Sequence, residues 1–131
     1  MPGRFLPPDH SQGDANTIGG YTRVHARPAA FEGSDGYSYS VEIDVDAIED
    51  AARPFGAYFL FLRWRRQGQQ GVEGHLESEY LAYGATLVDA RESLGRWQLA
   101  DVRRVLEQRI RETSTEGSTR RWWDAMRDDD P

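Results

Sequence analysis

The sequence predicts an α+β fold: a four-stranded antiparallel meander sheet with two C-terminal helices packed on one face, in the order β-β-β-β-α-α. Three stretches predict it. Residues 37–45 alternate strictly between apolar and polar side chains, which is typical of a strand covered on one side. Residues 56–66 are rich in aromatic side chains and apolar on both faces in their first half, as in a central strand. Residues 99–112 place aliphatic side chains along one helical stripe.

The N-terminal part shows weaker patterns. Residues 1–19 contain three prolines and three glycines without a period, which predicts a disordered tail. Residues 20–27 predict a weak first strand, which Pro28 ends. We therefore expect one folded domain over residues 20–112, followed at residues 113–131 by a linker and an acidic tail that bears two tryptophans.

The two long strands after residue 55 predict a hairpin. Residues 67–71 form a polar, glycine-bearing loop, and residues 72–83 predict the fourth strand. Pairing across this loop places Leu62 opposite Leu76. The same register gives four further pairs, which are Arg65 with Glu73, Trp64 with Gly74, Arg63 with His75 and Tyr58 with Tyr80. A slip by one residue exchanges the two faces of a strand, so the register decides which side chains are buried.

This register divides the sheet into two faces. The helices are expected to cover the more apolar face with a stripe formed by Leu99, Val102, Leu106 and Ile110. That face is predicted to hold Tyr37, Tyr39, Val41, Ile43, Val45, Tyr58, Leu60, Leu62, Trp64, Val72, Leu76 and Tyr80. The second face also carries Phe59 and Phe61, an apolar patch rimmed by charge. Its polar members are Ser38, Ser40, Glu42, Asp44, Arg63, Arg65, Glu73, His75, Glu77 and Glu79.

Three occupants of this phenylalanine patch stay open at the level of sequence. Trp122 and Trp123 fold back over it, a second copy of the chain pairs with it, or a foreign partner or ligand binds there. The candidate interaction surface comprises Phe59, Phe61, Arg63, Arg65, His75, Glu77, Trp122 and Trp123.

The fourth strand also suggests a metal site. Carboxylates and an imidazole alternate along it, at Glu73, His75, Glu77 and Glu79, and such groups bind divalent metals or act as general bases. Alternate strand residues line up about 6–7 Å apart rather than converging on one point. With Arg63 and Arg65 opposite, a salt-bridged surface is the expected structure. We predict no catalytic residue, no metal and no cofactor.

Composition limits the class of partner. The formal net charge is −6, and all 16 basic side chains are arginines. Basic-aromatic clusters at residues 63–66 and 120–123 could hold single-stranded nucleic acid, but acidic residues surround both, so we do not expect such a partner. The absence of cysteine excludes disulfides and thiolate zinc sites, and it fits the cytoplasmic protein that we expect. No apolar run approaches the ~20 residues that span a bilayer, so we expect no membrane contact.

The passage from strand to helix carries one resemblance. Thr86, with Asp89 three residues later, is similar to a capping box. Residues 84–94 resemble the strand-to-helix passage of HicB-type antitoxins, in which a Gly-x-Thr-x-x-Glu-Ala pattern opens a helix, although Asp89 stands where that pattern has Glu. The resemblance implies a toxin partner, with DNA as a second candidate ligand.

The sequence thus favours a non-enzymatic binding or assembly module, either homodimeric or bound to another protein. A small regulatory protein of antitoxin type is the first alternative. A metal-assisted hydrolase centred on His75 and Glu77 is the second.

Overall fold

The computed structural model describes residues 7–65 and 71–128, with side chains up to Ser114. A short 3-10 helix, His10–Gln12, precedes helix α1, Ile18–His25. The strands are β1 (Ala30–Glu32), β2 (Ser38–Ala47), β3 (Phe55–Trp64), β4 (Val72–Glu77) and β5 (Ala82–Gly84). Helices α2 (Leu87–Gly95) and α3 (Leu99–Asp128) follow.

The strands form one antiparallel sheet in the order β1-β2-β3-β4, and β5 pairs with β3 beyond the end of β4. Strands β2 and β3 pair along their full length, from Ser38 opposite Trp64 to Ala47 opposite Phe55. The predicted α+β class, the antiparallel meander and the two C-terminal helices are confirmed.

The core lies between one face of the sheet and the helices. The odd-numbered side chains of β2 point into it, as predicted, with Tyr39 and Val41 buried. The stripe of α3 is also confirmed, because Val102, Leu106 and Ile110 are all buried against the sheet. Burial of these apolar side chains is the main favourable term in the stability of the domain.

The prediction for β3 was wrong by one residue. Phe59 and Phe61, expected on the second face, are fully buried in the core. Leu60 and Leu62, expected in the core, point to the other side of the sheet and are half-buried. The exchange follows from the pairing of β2 with β3, which sets Val41 opposite Phe61.

The predicted register between β3 and β4 was wrong for the same reason. Phe61 lies opposite Leu76 and Leu62 opposite His75. An irregularity between Arg63 and Trp64 shifts the ladder once more, so that Trp64 lies opposite Val72.

The predicted fourth strand is also divided at residues 78–81. Ser78 takes part in the division, because its Oγ accepts a hydrogen bond from the Phe59 amide at 2.9 Å.

The N-terminal part of the chain was mispredicted as strand and tail. Residues 18–25 form α1, whose N-cap Thr17 accepts a hydrogen bond from the Gly20 amide at 3.0 Å. The preceding segment is fixed to the fold, because the Leu99 amide donates to the Asn16 carbonyl at 2.8 Å. Ile18 and Val24 are buried, so α1 belongs to the helical layer.

Helix α3 extends beyond its predicted end. It runs from Leu99 to Asp128, and residues 113–119, predicted as a linker, are therefore helical. The side chains of Trp122 and Trp123 lie outside the described part of the structure.

Candidate functional site

The sheet face that points away from the helices is the candidate site, and we call it the open sheet face. Cross-strand pairs share a face, so the register defines its members. From β2 it carries Ser38, Ser40, Glu42, Asp44 and Asp46; from β3, Tyr58, Leu60, Leu62 and Trp64; from β4 and β5, His75, Glu77 and Tyr83. The helices contribute their buried side chains to the opposite face.

An apolar strip runs along β3 on this face. Leu60 and Leu62 are half-buried, and Trp64 at the end of the strand is 41% exposed. The indole Nε1 of Trp64 donates to Ser40 Oγ at 2.9 Å, which fixes the ring across β2. The strip therefore offers an ordered apolar surface to solvent.

Three tyrosines form a second feature at the other end of the face, and we call Tyr58, Tyr80 and Tyr83 the tyrosine cluster. The rings of Tyr58 and Tyr80 meet edge to face with centroids 5.9 Å apart, and those of Tyr80 and Tyr83 are 6.3 Å apart. Tyr80 comes from the connection between β4 and β5 and folds onto the open sheet face.

Aspartates of β2 hold the hydroxyls of this cluster. Tyr58 donates to Asp44 Oδ2 at 3.0 Å, and Tyr80 donates to Asp46 Oδ2 at 2.8 Å. Burial, followed by the hydrogen bond to Asp44, raises the pKa of Tyr58 to about 12. The hydrogen bond to Asp46 is the main cause that raises the pKa of Tyr80. Both hydroxyls therefore stay protonated near neutral pH and act as hydrogen-bond donors.

One cation of the chain already occupies the edge of the cluster. The guanidinium of Arg53, in the connection between β2 and β3, lies 4.9 Å from the ring centroid of Tyr83. Within the described residues no arginine forms an ion pair with Asp44, Asp46 or Glu42. The face is therefore acidic and aromatic together.

The structure separates the residues that the sequence proposed as an interaction surface. Phe59 and Phe61 are in the core. Arg63 also lies on the core face, where its guanidinium is 4.9 Å from the Tyr37 ring and its Nε is 3.8 Å from Glu73. Arg65 is exposed just beyond the end of β3.

His75 and Glu77 do lie on the open sheet face. His75 Nε2 is 3.8 Å from Glu77 Oε1, and both side chains are more than half exposed. Within the described part of the chain, no third histidine or carboxylate joins them at metal-binding distance. The pair therefore contributes charge to the face and lacks the converging ligands that a divalent metal requires.

A separate groove of about 730 Å³ lies between β4 and α3. Its charged side chains are partly paired with one another, since Arg109 Nη1 lies 2.6 Å from Glu112 Oε2 and Arg104 pairs with Asp101. Arg109 Nε and Thr113 Oγ1 are buried without a hydrogen-bond partner in the described structure.

Sequence reasoning missed the tyrosine cluster and its aspartates. Asp44 and Asp46 alternate with apolar residues on β2, and that pattern does identify them as facing away from the core. No local pattern indicates that Tyr80 crosses the sheet to reach Asp46, because the two residues are 34 positions apart in sequence.

Comparisons with known protein families, with curated proteins and with solved structures find no match to this chain. Thr86 does cap α2, with its Oγ1 accepting from the Asp89 amide at 3.0 Å. This geometry is common to capped helices in general and assigns no family. Among the described residues, no helix combines the length and the apolar character needed to cross a membrane.

Proposed function

We propose that this protein is a non-enzymatic, cytoplasmic binding module and that the open sheet face is the surface on which it binds a protein partner. The observation that carries the proposal is the set of large apolar side chains that this face exposes. Trp64 is 41% exposed, Tyr83 is 38% exposed and Tyr80 is 36% exposed, all on one side of one sheet. A contiguous apolar surface rimmed by charge is typical of an interaction site.

The chemistry of the face favours binding over catalysis. A general acid or base works best with a pKa near the operating pH. Burial, followed by the hydrogen bond to Asp44, raises the pKa of Tyr58 above its ordinary value of 10, and the hydrogen bond to Asp46 is the main cause that raises the pKa of Tyr80. Their protons are therefore held in place, and the hydroxyls position the rings.

The surface is also preorganised. Hydrogen bonds fix Trp64 to Ser40 and Tyr80 to Asp46, so these aromatic side chains lose little conformational freedom when a partner binds. Aromatic side chains of this kind dominate the energetics of protein interfaces.

Two other occupants were open at the level of sequence. Covering by the C-terminal tryptophans needs the chain to fold back after the predicted end of α3, and the helix instead continues to Asp128. A second copy would bring two acidic faces together, since Glu42, Asp44, Asp46 and Glu77 all lie on this side of the sheet. Like charges across an interface oppose binding, which favours a different protein as the partner.

The test uses a matched pair of substitutions in the full chain. Leu62→Asp places a charge in the apolar strip, and Leu87→Asp places one at the start of α2, where Leu87 is 45% exposed. A partner captured from source cells is purified and titrated calorimetrically against each variant, after circular dichroism has shown that both are folded. We expect Leu62→Asp to weaken binding about tenfold or more and Leu87→Asp to change it less than about twofold.

Equal affinity of both variants for the partner would refute the proposal, and so would failure to capture any partner. Sedimentation equilibrium of the wild-type chain gives the oligomeric state in the same series. A dimer that only Leu62→Asp dissociates would identify the partner as a second copy.

A further inference from the structure

We infer that the partner presents a cationic, arginine-bearing segment, and that the tyrosine cluster with Asp44 and Asp46 binds its guanidinium groups. This inference rests on the proposed function, because it names the chemistry of the partner for the same surface.

Carboxylates make the surroundings of the tyrosine cluster negatively charged. Asp44, Asp46 and Glu77 all act on the tyrosine cluster, since each raises the pKa of Tyr58 by its negative charge. None of them forms an ion pair with an arginine of the described chain. Glu77 has His75 as its neighbour, which is charged only when protonated. The whole chain carries a net charge of −6, so its field also attracts cations.

Aromatic rings lie beside these carboxylates. A guanidinium binds well where it can stack on an aromatic face and donate to a carboxylate at the same time. Tyr80 and Tyr83 are exposed with centroids 6.3 Å apart, and Asp46 is bonded to the hydroxyl of Tyr80. Asp46 uses Oδ2 for this bond, and its Oδ1 accepts no hydrogen bond from the described residues. Both oxygens of Asp44 already accept, Oδ2 from Tyr58 and Oδ1 from the Val45 amide at 2.9 Å, so Asp44 acts chiefly through its charge.

An arginine of the chain itself already contacts the tyrosine cluster. Arg53 already lies over the Tyr83 ring at 4.9 Å, so this part of the face accepts a guanidinium in the folded chain. Arg53 is exposed and makes this contact at the edge of the cluster. An incoming arginine would compete with it for Tyr83 and would feel its positive charge.

The experiment uses synthetic extended peptides and the full chain. One peptide alternates arginine with leucine, and a second replaces every arginine by glutamine. Binding is measured by calorimetry and located by amide shifts in nuclear magnetic resonance. We expect the arginine peptide to shift signals of β2 and β3 on the open sheet face and to bind about tenfold more tightly than the glutamine peptide.

Charge-removing variants make the test specific. Asp44→Asn with Asp46→Asn keeps an oxygen acceptor for each tyrosine but removes two charges. Asp89→Asn with Asp101→Asn removes two charges from the helical layer. We expect the first double variant to weaken binding of the arginine peptide about tenfold and the second to weaken it less than about twofold. Arg53→Gln should tighten binding about 2- to 5-fold, because it frees Tyr83.

The outcomes separate this inference from the proposed function. If both peptides bind the open sheet face with equal affinity, the inference is overturned and the binding surface stands. The inference is also overturned if the arginine peptide binds elsewhere or does not bind. It is overturned as well if the two double variants weaken binding of the arginine peptide by the same factor. The partner titration with Leu62→Asp then decides the proposed function by itself.

Discussion

Tyr80 lies against Gly56, and the absence of a side chain at Gly56 lets the Tyr80 hydroxyl reach Asp46 Oδ2 at 2.8 Å. Gly56 is opposite Asp46 on the neighbouring strand, so the ring spans the end of β3 to reach β2. A Cβ at Gly56 would lie 2.8 Å from Cδ1 of the ring. The glycine thus sets the position of the aromatic side chain that links the β4–β5 connection to the open sheet face.

Gly56→Ala should therefore displace Tyr80 from the sheet. Overpacking of this kind costs about 1–3 kcal/mol, and we expect a loss of that size in the free energy of unfolding measured with denaturant. Gly74→Ala is the matched control, since its Cβ meets only the flexible end of Arg63, at 3.0 Å from Nη2. A loss that is equal in the two variants would show that Tyr80 does not pack on Gly56.

Stability should fall in alkaline solution because of the buried tyrosines. Tyr58 has a folded-state pKa raised to about 12, and Tyr39, buried beside Asp35, also has a raised pKa. Both hydroxyls ionise near pH 10 in the unfolded chain. The contribution of Tyr58 to stability is therefore complete below about pH 10 and is lost as the pH rises from there through about 12, and the raised pKa of Tyr39 acts in the same direction.

The measurement is denaturant unfolding at about pH 9 and about pH 11, together with a tyrosinate absorbance titration. Tyr58→Phe should show a smaller fall in stability between the two pH values than the wild-type chain. An equal fall in both proteins would contradict the environment described for Tyr58.

Two helical glycines, Gly20 in α1 and Gly95 at the end of α2, give predictions of opposite sign. Alanine normally favours a helix over glycine by about 1 kcal/mol. At Gly20 a Cβ would lie 1.9 Å from the Asp14 carbonyl oxygen, whereas at Gly95 the nearest atom is 3.6 Å away. We expect Gly20→Ala to destabilise the protein by about 3 kcal/mol and Gly95→Ala to be neutral or mildly stabilising.

Thermal unfolding of the two variants checks this difference. If Gly20→Ala unfolds at the wild-type temperature, residues 14–25 are not packed as the structure has them.

Strand β2 and the stripe of α3 could be predicted because each has one apolar and one polar side. Strand β3 lacks that contrast. Leu60 and Leu62 on one side are as apolar as Phe59 and Phe61 on the other, so periodicity could not choose the buried face. The choice came from pairing with β2 and from the irregularity at Arg63 and Trp64, which are tertiary features.

Helix α1 was missed because its sequence has low intrinsic helix propensity. It contains Gly19 and Gly20 together with β-branched residues. Packing offsets that cost, since Ile18 and Val24 are buried. A Cβ at Gly19 would lie 3.1 Å from the Gly95 carbonyl oxygen, so a larger residue there would push α1 and α2 apart by a few tenths of an ångström. The cap at Thr17 was the available signal.

The candidate site was predicted in part. His75 and Glu77 were placed on the second face, and the structure places them on the open sheet face. The tyrosine cluster forms because the predicted fourth strand is interrupted at residues 78–81. This connection brings the Tyr80 ring onto the open sheet face. A single sequence carries no periodic signal for such an interruption.

The proposed binding surface depends most on which side of β3 faces the helices. Substitutions at two adjacent residues test this orientation directly. Phe61 is fully buried and Leu62 is half-buried on the open sheet face. We expect Phe61→Ala to lower the free energy of unfolding by about 3–5 kcal/mol and Leu62→Ala to lower it by about 1 kcal/mol or less. A larger loss for Leu62→Ala than for Phe61→Ala would reverse the two faces and contradict the proposed binding surface.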